Sequence, residues 1–270
     1  MVGARPKSAS GRNIRPCPGG SALGWSAVLA RRCRGGARIR PRRVSGGAKR
    51  TRSAVACIVA AGAAYALAYR LGLTSGSTPA ERSASLPGDD LITAPTLVTN
   101  HAGDLPAPPA EVWPWLTQMG WHRGGWYTPG WVDRLLFPDN WPSADQLDPR
   151  YVRDLKPGDT IPDGPPGTAH FVVERAVAPE LLVLHSRTHL PAEWGKRLGA
   201  ELDWVWTFSL RPTPGGGSRL LIRNRGWVRP KWLDLAYHAV IVPADHIMAT
   251  GMVRGLGARL TNSPRIADRT

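Results

Sequence analysis

Cysteine is scarce in this chain and confined to one end of it. The 270 residues include three cysteines, Cys17, Cys33 and Cys57. The sequence beyond Cys57 therefore has neither a disulfide framework nor a thiol nucleophile. It also has no serine in a nucleophile-elbow motif. A glycine run at 215–217 lies between two strand-like segments instead of opening a helix, which indicates a turn and not a phosphate-binding loop.

Acidic residues are missing from the first eighty positions, where Lys and Arg are abundant. The first acidic residue is Glu81, whereas fourteen of the 35 Lys and Arg precede Ser53. The formal charge of +15 therefore belongs to a basic tail, residues 1–52, and the rest of the chain is close to neutral. This tail and the C-terminal residues 263–270 are predicted to be disordered. The basic tail has three open interpretations: an arm for acidic lipid headgroups, a nucleic-acid arm, or a segment without a role. For the folded part we expect no nucleic-acid partner.

A long uncharged segment, residues 53–69, follows Lys49, Arg50 and Arg52. Extended to residue 73, it approaches the length of about 20 residues that a transmembrane or signal-anchor helix needs. Its basic N-terminal flank predicts a single-pass protein whose N-terminus is cytoplasmic. A cleaved signal peptide that yields a secreted protein, and a buried Ala-rich helix, remain as alternatives. Residues 74–90, with Ser, Pro, Gly and charges, are predicted as a flexible linker.

Residues 91–262 have the pattern of one α+β domain. β-branched content predicts a first strand at 95–105, and proline in the first turn predicts short helices at 109–119 and 129–137. On the second of these helices we expect Trp131, Leu135 and Leu136 to face inward. Five further strands are predicted at 160–163, 169–177, 180–186, 202–211 and 218–227, joined by turns typical of antiparallel hairpins. A long amphipathic helix at 231–260 ends the domain.

Two apolar surfaces of this domain are predicted to face each other. Alternation along the strand at 202–211 places Trp204, Trp206 and Phe208 on one face. The long helix has an apolar stripe, which we assign to Leu233, Tyr237, Val240, Ala244, Ile247, Met248, Gly251 and Gly255. Pro243 is expected to kink this helix or to start its second half, and its internal Asp and His residues argue against a membrane span. We expect the stripe to pack across the aromatic face of the sheet, with a gap between them.

Several local motifs occur in an order that is characteristic of a known family. They are 107–120 (APPAEVWPWLTQMG), 123–127 (RGGWY), 143–145 (SAD), 155–159 (LKPGD), 204–210 (WVWTFSL), 219–223 (RLLIR) and 252–256 (MVRGL). With them the domain resembles the SRPBCC (START-like, polyketide cyclase/dehydrase-like) family, in particular a bacterial membrane-proximal subgroup. The resemblance implies a helix-grip fold whose cavity holds lipids, polyketides or other apolar ligands, with catalysis in only some members. Trp121, His122 and Trp126 are larger than is usual in this family.

Tryptophan is concentrated in the predicted domain, where eleven of the twelve lie between Trp113 and Trp232. Large rigid aromatic side chains suit the wall of a ligand pocket, although they also serve simply as core. The predicted wall residues are Trp115, Met119, Trp126, Tyr127, Trp131, Trp204, Trp206 and Phe208. Arg123, beside two glycines, is predicted to orient a polar end of the ligand.

The function favoured by this pattern is a membrane-tethered binding or transfer module for an apolar small molecule. One alternative is an enzyme of the cyclase/dehydratase type, with Tyr127, Asp145 or His238 as acid or base. Another is a structural envelope protein whose cavity is filled by its own tryptophans. No metal or cofactor is expected, because His185 ends a strand and four extended residues separate it from His189 by about 13 Å. Arg219, Arg223 and Arg225 share one strand face, which is either solvated or directed to an acidic headgroup.

Overall fold

The computed structural model describes residues 46–136 and 138–262. The predicted basic tail up to residue 45 and the C-terminal tail lie outside these residues. The described residues from 49 to 262 belong to one compact unit. The helices are α1 (Gly46–Thr74), α2 (Pro79–Ser83), α3 (Pro109–Thr117), α4 (Gly130–Leu136), α5 (Ala192–Leu198) and α6 (Lys231–Asn262). The strands are β1 (Leu97–Leu105), β2 (Thr160–Pro162), β3 (His170–Val177), β4 (Leu181–Ser186), β5 (Glu201–Pro212) and β6 (Ser218–Arg229).

The six strands form one antiparallel sheet in the order β1-β6-β5-β4-β3-β2. Strands β2 to β6 follow as successive neighbours, so short turns join β3 to β4 and β5 to β6, and α5 connects β4 to β5. Strand β1 joins the far edge through β6. The long helix α6 lies against β1 and β6. This is the α+β, helix-grip-like architecture that the sequence predicts, and all six predicted strands are present.

The inner face of the sheet carries the core. On β5, alternation directs Trp204, Trp206, Phe208 and Leu210 to this face, where each is at most 8% exposed. Their neighbours include α3, which is buried along one side, and the buried half of α6. Such side chains each contribute about 1.5–3 kcal/mol by leaving water. The aromatic strand therefore packs as the sequence predicts.

The outer face of the sheet is covered by the segment that the sequence predicts as a flexible linker. Helix α2 starts with a capping box in which Thr78 and Glu81 exchange hydrogen bonds. Arg223, only 3% exposed, donates to the Asp89 carboxylate at 2.7 Å and to backbone carbonyls of α2 and the residues that follow it. The segment is thus fixed to β6 by charged hydrogen bonds, because a buried guanidinium has to satisfy its five donors.

The same contacts correct the expectation for the arginine face of β6. Arg219 pairs with Glu81 at 2.8 Å, and Arg225 donates to the Ile92 carbonyl at 2.7 Å. These side chains and Arg223 therefore bind a segment of their own chain. They neither form a solvated face nor stand free for an acidic headgroup.

Helix α6 runs without a break through Pro243. Proline has no N–H, so the carbonyl of Ala239, four residues earlier, lacks its helical donor. The Tyr65 hydroxyl of α1 donates to that carbonyl at 2.6 Å. The proline expected to kink α6 therefore creates an acceptor that is satisfied by α1.

Two predicted faces of helices are wrong in part. Val240 and Ile247, assigned to the inner stripe of α6, are 67% and 40% exposed, and Val242, Met252 and Leu256 are buried instead. On α4, Trp131 is 54% exposed and Leu135 70% exposed, although both were expected to face inward; the side chain of Leu136 lies outside the described residues. Both errors have one cause: Asp133 of α4 and Asp245 of α6 are buried, so charge does not mark the outer face of either helix in the sequence.

Helix α5, which the sequence analysis did not predict, fills the connection between β4 and β5. It ends at Gly199, whose left-handed φ of 61° suits a glycine C-cap. Trp194 and Leu198 on this helix are 41% and 45% exposed. The helix therefore adds an apolar surface at this end of the sheet.

Candidate ligand-binding cavity

A cavity of about 160 Å³ lies between the inner face of the sheet and the middle of α6. It is lined by Asp163, Phe171, His189, Trp204, Trp206, Asn224, Tyr237, Ile241, Ala244, Asp245 and Met248. The sheet contributes its aromatic residues from β3 and β5, and α6 contributes one face over three turns. The surfaces predicted to meet across a gap border a partly open space, although a small one.

One side of the cavity holds an acid–histidine pair. Nε2 of His189 lies 2.8 Å from Oδ2 of Asp163, and its Nδ1 lies 2.6 Å from the Ser186 hydroxyl oxygen. The ring of His189 also contacts Phe171, with ring centroids 4.4 Å apart. Ser186 donates to the His170 carbonyl at 2.6 Å, so its hydroxyl positions the imidazole and is not directed at the cavity. Both imidazole nitrogens are thus occupied, and Asp163 Oδ1 is the one atom of the pair left to exchange a proton with a bound molecule.

The opposite side holds a second carboxylate that is fully occupied. Asp245 accepts hydrogen bonds from the Thr99 hydroxyl at 2.6 Å and from the Asn224 amide at 2.9 Å. Nε2 of His101 lies 2.8 Å from Oδ2 of the same carboxylate. A buried charge with this many partners is stabilised where it stands. Asp245 therefore contributes negative charge to the cavity wall, but its oxygens are already engaged by protein donors.

Three polar groups of the lining residues make no hydrogen bond that would tie them to another described element. Asp163 Oδ1 and Trp206 Nε1 are buried and have no hydrogen-bond partner among the residues that the structure describes. Burial, and then the charges of Asp245 and Asp163, raise the pKa of the Tyr237 phenol above its ordinary value, which keeps its proton in place. The lining residues thus include one carboxylate oxygen and one indole N–H without partners in the described part of the chain, and one protonated phenol.

The predicted wall residues fall into three groups. Trp204 and Trp206 line the cavity. Trp115, Met119, Trp126, Tyr127 and Phe208 are at most 2% exposed and belong to the core beneath or beside it. Of these, Phe208 and Trp126 contact the wall directly, with ring centroids 4.8 and 5.2 Å from that of Trp206. Trp131 is exposed on α4 and is not part of the cavity wall.

The other predicted site residues build a loop corner at the far end of α6. The Tyr127 hydroxyl donates to the Trp115 carbonyl at 2.7 Å, and burial raises the pKa of this phenol. Arg123 donates to the Thr117 carbonyl at 2.8 Å, and burial lowers the pKa of its guanidinium. Asp145 is exposed and pairs with Arg259 at 2.9 Å. These residues do not line the cavity.

His238, the third predicted acid or base, lies near the start of α6. Its Nε2 is 3.3 Å from the Asp234 carboxylate and 3.4 Å from the Thr96 hydroxyl. It lines a groove between α1 and α6 and not the cavity. Asp163 and His189, which do line the cavity, were missed because only the tertiary structure brings them together. Asp163 follows β2, His189 follows β4, and no spacing in the sequence relates them.

No family model and no curated protein matches this chain. Solved structures do match it. Protein MLL2253 from Mesorhizobium loti is 18% identical over 63% of this chain and 100% of that chain, with a TM-score of 0.37. Protein Ms6760 from Mycobacterium smegmatis is 14% identical over 63% of this chain and 94% of that chain, with a TM-score of 0.35. The Aha1 dimer from Colwellia psychrerythraea is 16% identical over 60% of this chain and 97% of that chain, with a TM-score of 0.33. These similarities concern the fold alone.

Proposed function

We propose that this protein is a membrane-anchored module that binds a small, ring-sized molecule with one polar group in the cavity between the sheet and α6. The supporting observation is the combination of aromatic walls with two polar atoms, Asp163 Oδ1 and Trp206 Nε1, that have no hydrogen-bond partner in the described part of the chain. Buried polar atoms without partners are rare in folded proteins because each costs about 1–3 kcal/mol. A ligand that bonds to both atoms would recover that free energy.

The size of the cavity narrows the ligand class. Its volume of about 160 Å³ is below the roughly 300–1,000 Å³ of sites for drug-sized ligands. It is close to the roughly 150 Å³ of an engineered apolar cavity that binds benzene. The ligand we propose is therefore a single ring with a hydroxyl or amide, smaller than the lipid or polyketide expected from the family resemblance.

The anchor in this proposal is α1. Thr51–Thr74 is long and apolar enough to cross a membrane. Cleavage after Ala66 or Ala68, as a signal peptide would require, would remove Tyr65 from its bond with Ala239. This contact favours an anchor that is retained over a secreted form, and the basic flank favours a cytoplasmic N-terminus.

Phenol is a suitable probe, because its ring fits the cavity and its hydroxyl both donates and accepts. The indole N–H resonance of Trp206, assigned in NMR spectra with Trp206→Phe, should shift saturably when phenol is added to the full chain in detergent. A Kd of about 1 mM corresponds to about 4.1 kcal/mol. Phenol has seven non-hydrogen atoms, so this binding free energy is about 0.6 kcal/mol per atom. The ceiling for very small ligands is about 1.5 kcal/mol per atom, so this affinity is attainable.

Two alanines of α6 provide a matched control for this titration. Ala244 lines the cavity, whereas Ala258 is exposed on the same helix. Ala244→Leu should abolish the saturable shift by filling the space, and Ala258→Leu should leave it unchanged. An equal response in the two variants, or none in the wild-type chain, would exclude a ligand site here and favour the structural-protein alternative.

A catalytic role is the second candidate, and the Asp163 and His189 pair is the observation that favours it. It replaces Tyr127, Asp145 and His238 as acid or base, since those residues do not line the cavity. In an enzyme, His189→Gln would abolish turnover and its pH dependence while the phenol-induced shift remained. If the wild-type chain shows no turnover and His189→Gln only weakens phenol binding, the protein is a binding module and not an enzyme.

A further inference from the structure

Helices α1 and α6 meet along a line of contacts that fixes their relative direction. Tyr65 donates to the Ala239 carbonyl, Gly72 lies against the Val242 carbonyl, and the Ser75 hydroxyl oxygen is 2.5 Å from Nδ1 of His246. The contacts advance from residue 65 of α1 to residue 75, directly after its end, and from 239 to 246 on α6. Helix α1 therefore leaves the domain on the side where α6 begins.

The part of the candidate membrane span that extends beyond these contacts is too short to cross a bilayer. Residues 51–64 amount to about 21 Å of helix at 1.5 Å per residue. The hydrocarbon core is about 30 Å thick. If Thr51–Thr74 crosses the membrane, residues from Tyr65 onward must also lie at lipid depth. The first half of α6, which contacts Tyr65 through Ala239, must then lie there as well.

The exposed face of α6 has the composition that this depth requires. Trp232 is 58% exposed, Leu235 72% and Val240 67%. Ala236 and Ala239 are also exposed, and all five fall within an arc of about 140° at 3.6 residues per turn. Between Lys231 and Arg254 this face has no Asp, Glu, Lys or Arg. A soluble domain rarely leaves so continuous an apolar face in water.

Basic and aromatic residues surround the start of this face. Glu201 pairs with Arg229 across β5 and β6, so α5, which precedes β5, and α6, which follows β6, lie at the same end of the sheet. Lys196, Arg197, Arg229 and Lys231 are exposed there together with Trp194 and Leu198. Tryptophan with Lys and Arg is typical of the membrane–water interface, where the cations meet anionic headgroups.

We infer that the end of the domain formed by α5 and the first half of α6 is embedded in the interface of an anionic phospholipid bilayer, beside α1. This inference rests on the proposed membrane anchor. In this arrangement part of the domain itself contacts the lipid, and α1 is not its sole attachment to the membrane.

Depth-dependent quenching tests this position. The full chain, with Cys17, Cys33 and Cys57 replaced by Ser, would carry one environment-sensitive fluorophore at Val59→Cys, Val240→Cys or Val177→Cys. Val59 and Val240 are 65% and 67% exposed on α1 and α6, and Val177 is 53% exposed at the end of β3. Vesicles of phosphatidylcholine and phosphatidylglycerol with spin-labelled acyl chains serve as quencher, and iodide as the aqueous quencher. Lipid quenching at Val240→Cys should approach that at Val59→Cys and clearly exceed that at Val177→Cys.

The remaining outcomes separate the inference from the anchor on which it rests. Quenching by lipid at Val59→Cys but not at Val240→Cys would keep the anchor and overturn the embedded face. Protection of Val240→Cys from both quenchers would show that protein, such as a second copy, covers α6, and would also overturn the inference. Absence of lipid quenching at Val59→Cys would remove the anchor itself.

Discussion

At the scale of single residues, Glu81 makes the fold sensitive to pH. Its carboxylate accepts hydrogen bonds from Nε and a terminal nitrogen of Arg219, at 2.8 and 3.0 Å, and from the Thr78 N–H at 2.7 Å. The Arg219 guanidinium is the main reason that the pKa of Glu81 falls from 4.5 to about 2. A carboxyl whose pKa is lower in the folded state stabilises the fold above its unfolded pKa and loses that effect as the pH falls through the folded pKa.

Glu81→Gln should therefore lower the free energy of unfolding at neutral pH, and the difference from the wild-type chain should shrink as the pH falls from 4.5 to about 2. The measurement is urea unfolding of the full chain in detergent across that range. Glu193→Gln is the control, since this carboxylate is 59% exposed and its ion pairs lie on the surface. If the stability difference between Glu81→Gln and the wild-type chain stays constant with pH, the ion pair with Arg219 does not lower the pKa of Glu81.

At the scale of elements, the contact between α1 and α6 depends on one glycine. A Cβ on Gly72 would lie 2.1 Å from the Val242 carbonyl oxygen and 2.7 Å from a Val242 methyl carbon. Gly62, on the same helix, has nothing within 4 Å of such a Cβ. Backbone atoms cannot move aside as side chains do, so only the first position excludes a larger residue.

We expect Gly72→Leu to lower the free energy of unfolding by about 1–3 kcal/mol, the usual effect of overpacking. Gly62→Leu should have no such cost, and its better helix propensity favours a small gain. Thermal unfolding of the full chain in detergent, followed by circular dichroism, compares the two. Equal losses for both variants would show that α1 and α6 are not in close contact.

At the scale of the whole molecule, Arg223 joins the anchor side of the chain to the sheet. Its guanidinium bonds to Asp89, to carbonyls of residues 81, 82 and 84, and to the Asn100 side chain at 2.7 Å. Through these bonds the segment between α1 and β1 becomes part of the domain. The orientation of α1 relative to the sheet is therefore set by packing as well as by chain connection.

Arg223→Met should destabilise the chain by about 1–3 kcal/mol, because the Asn100 side chain, the half-buried Asp89 carboxylate and three carbonyls lose their donor. It should also increase hydrogen exchange of the amides in α2 and residues 84–92. Arg211→Met, which changes an exposed arginine at the end of β5, should stay within about 0.5 kcal/mol. Unchanged exchange in this segment would mean that other contacts hold it to the sheet.

The sequence predicted the architecture well and the candidate site only in part. The strands and α6 were predicted nearly to their ends, because alternation and helical periodicity are local signals. The polar side of the cavity was not predicted, because Asp163 and His189 come from two connections that only the sheet brings together. Trp204 and Trp206 were predicted as wall residues because alternation on β5 fixes their face.

The sequence by itself determined the apolar α1, the order of strands and helices, and the aromatic side of β5. Each of these follows from the spacing of neighbouring residues. The tertiary structure decided that residues 75–92 lie on the sheet, that Val240 faces outward, and which polar atoms border the cavity. These depend on which partners meet in space, since an arginine is buried or exposed, and a helix face hidden or open, only according to what packs against it.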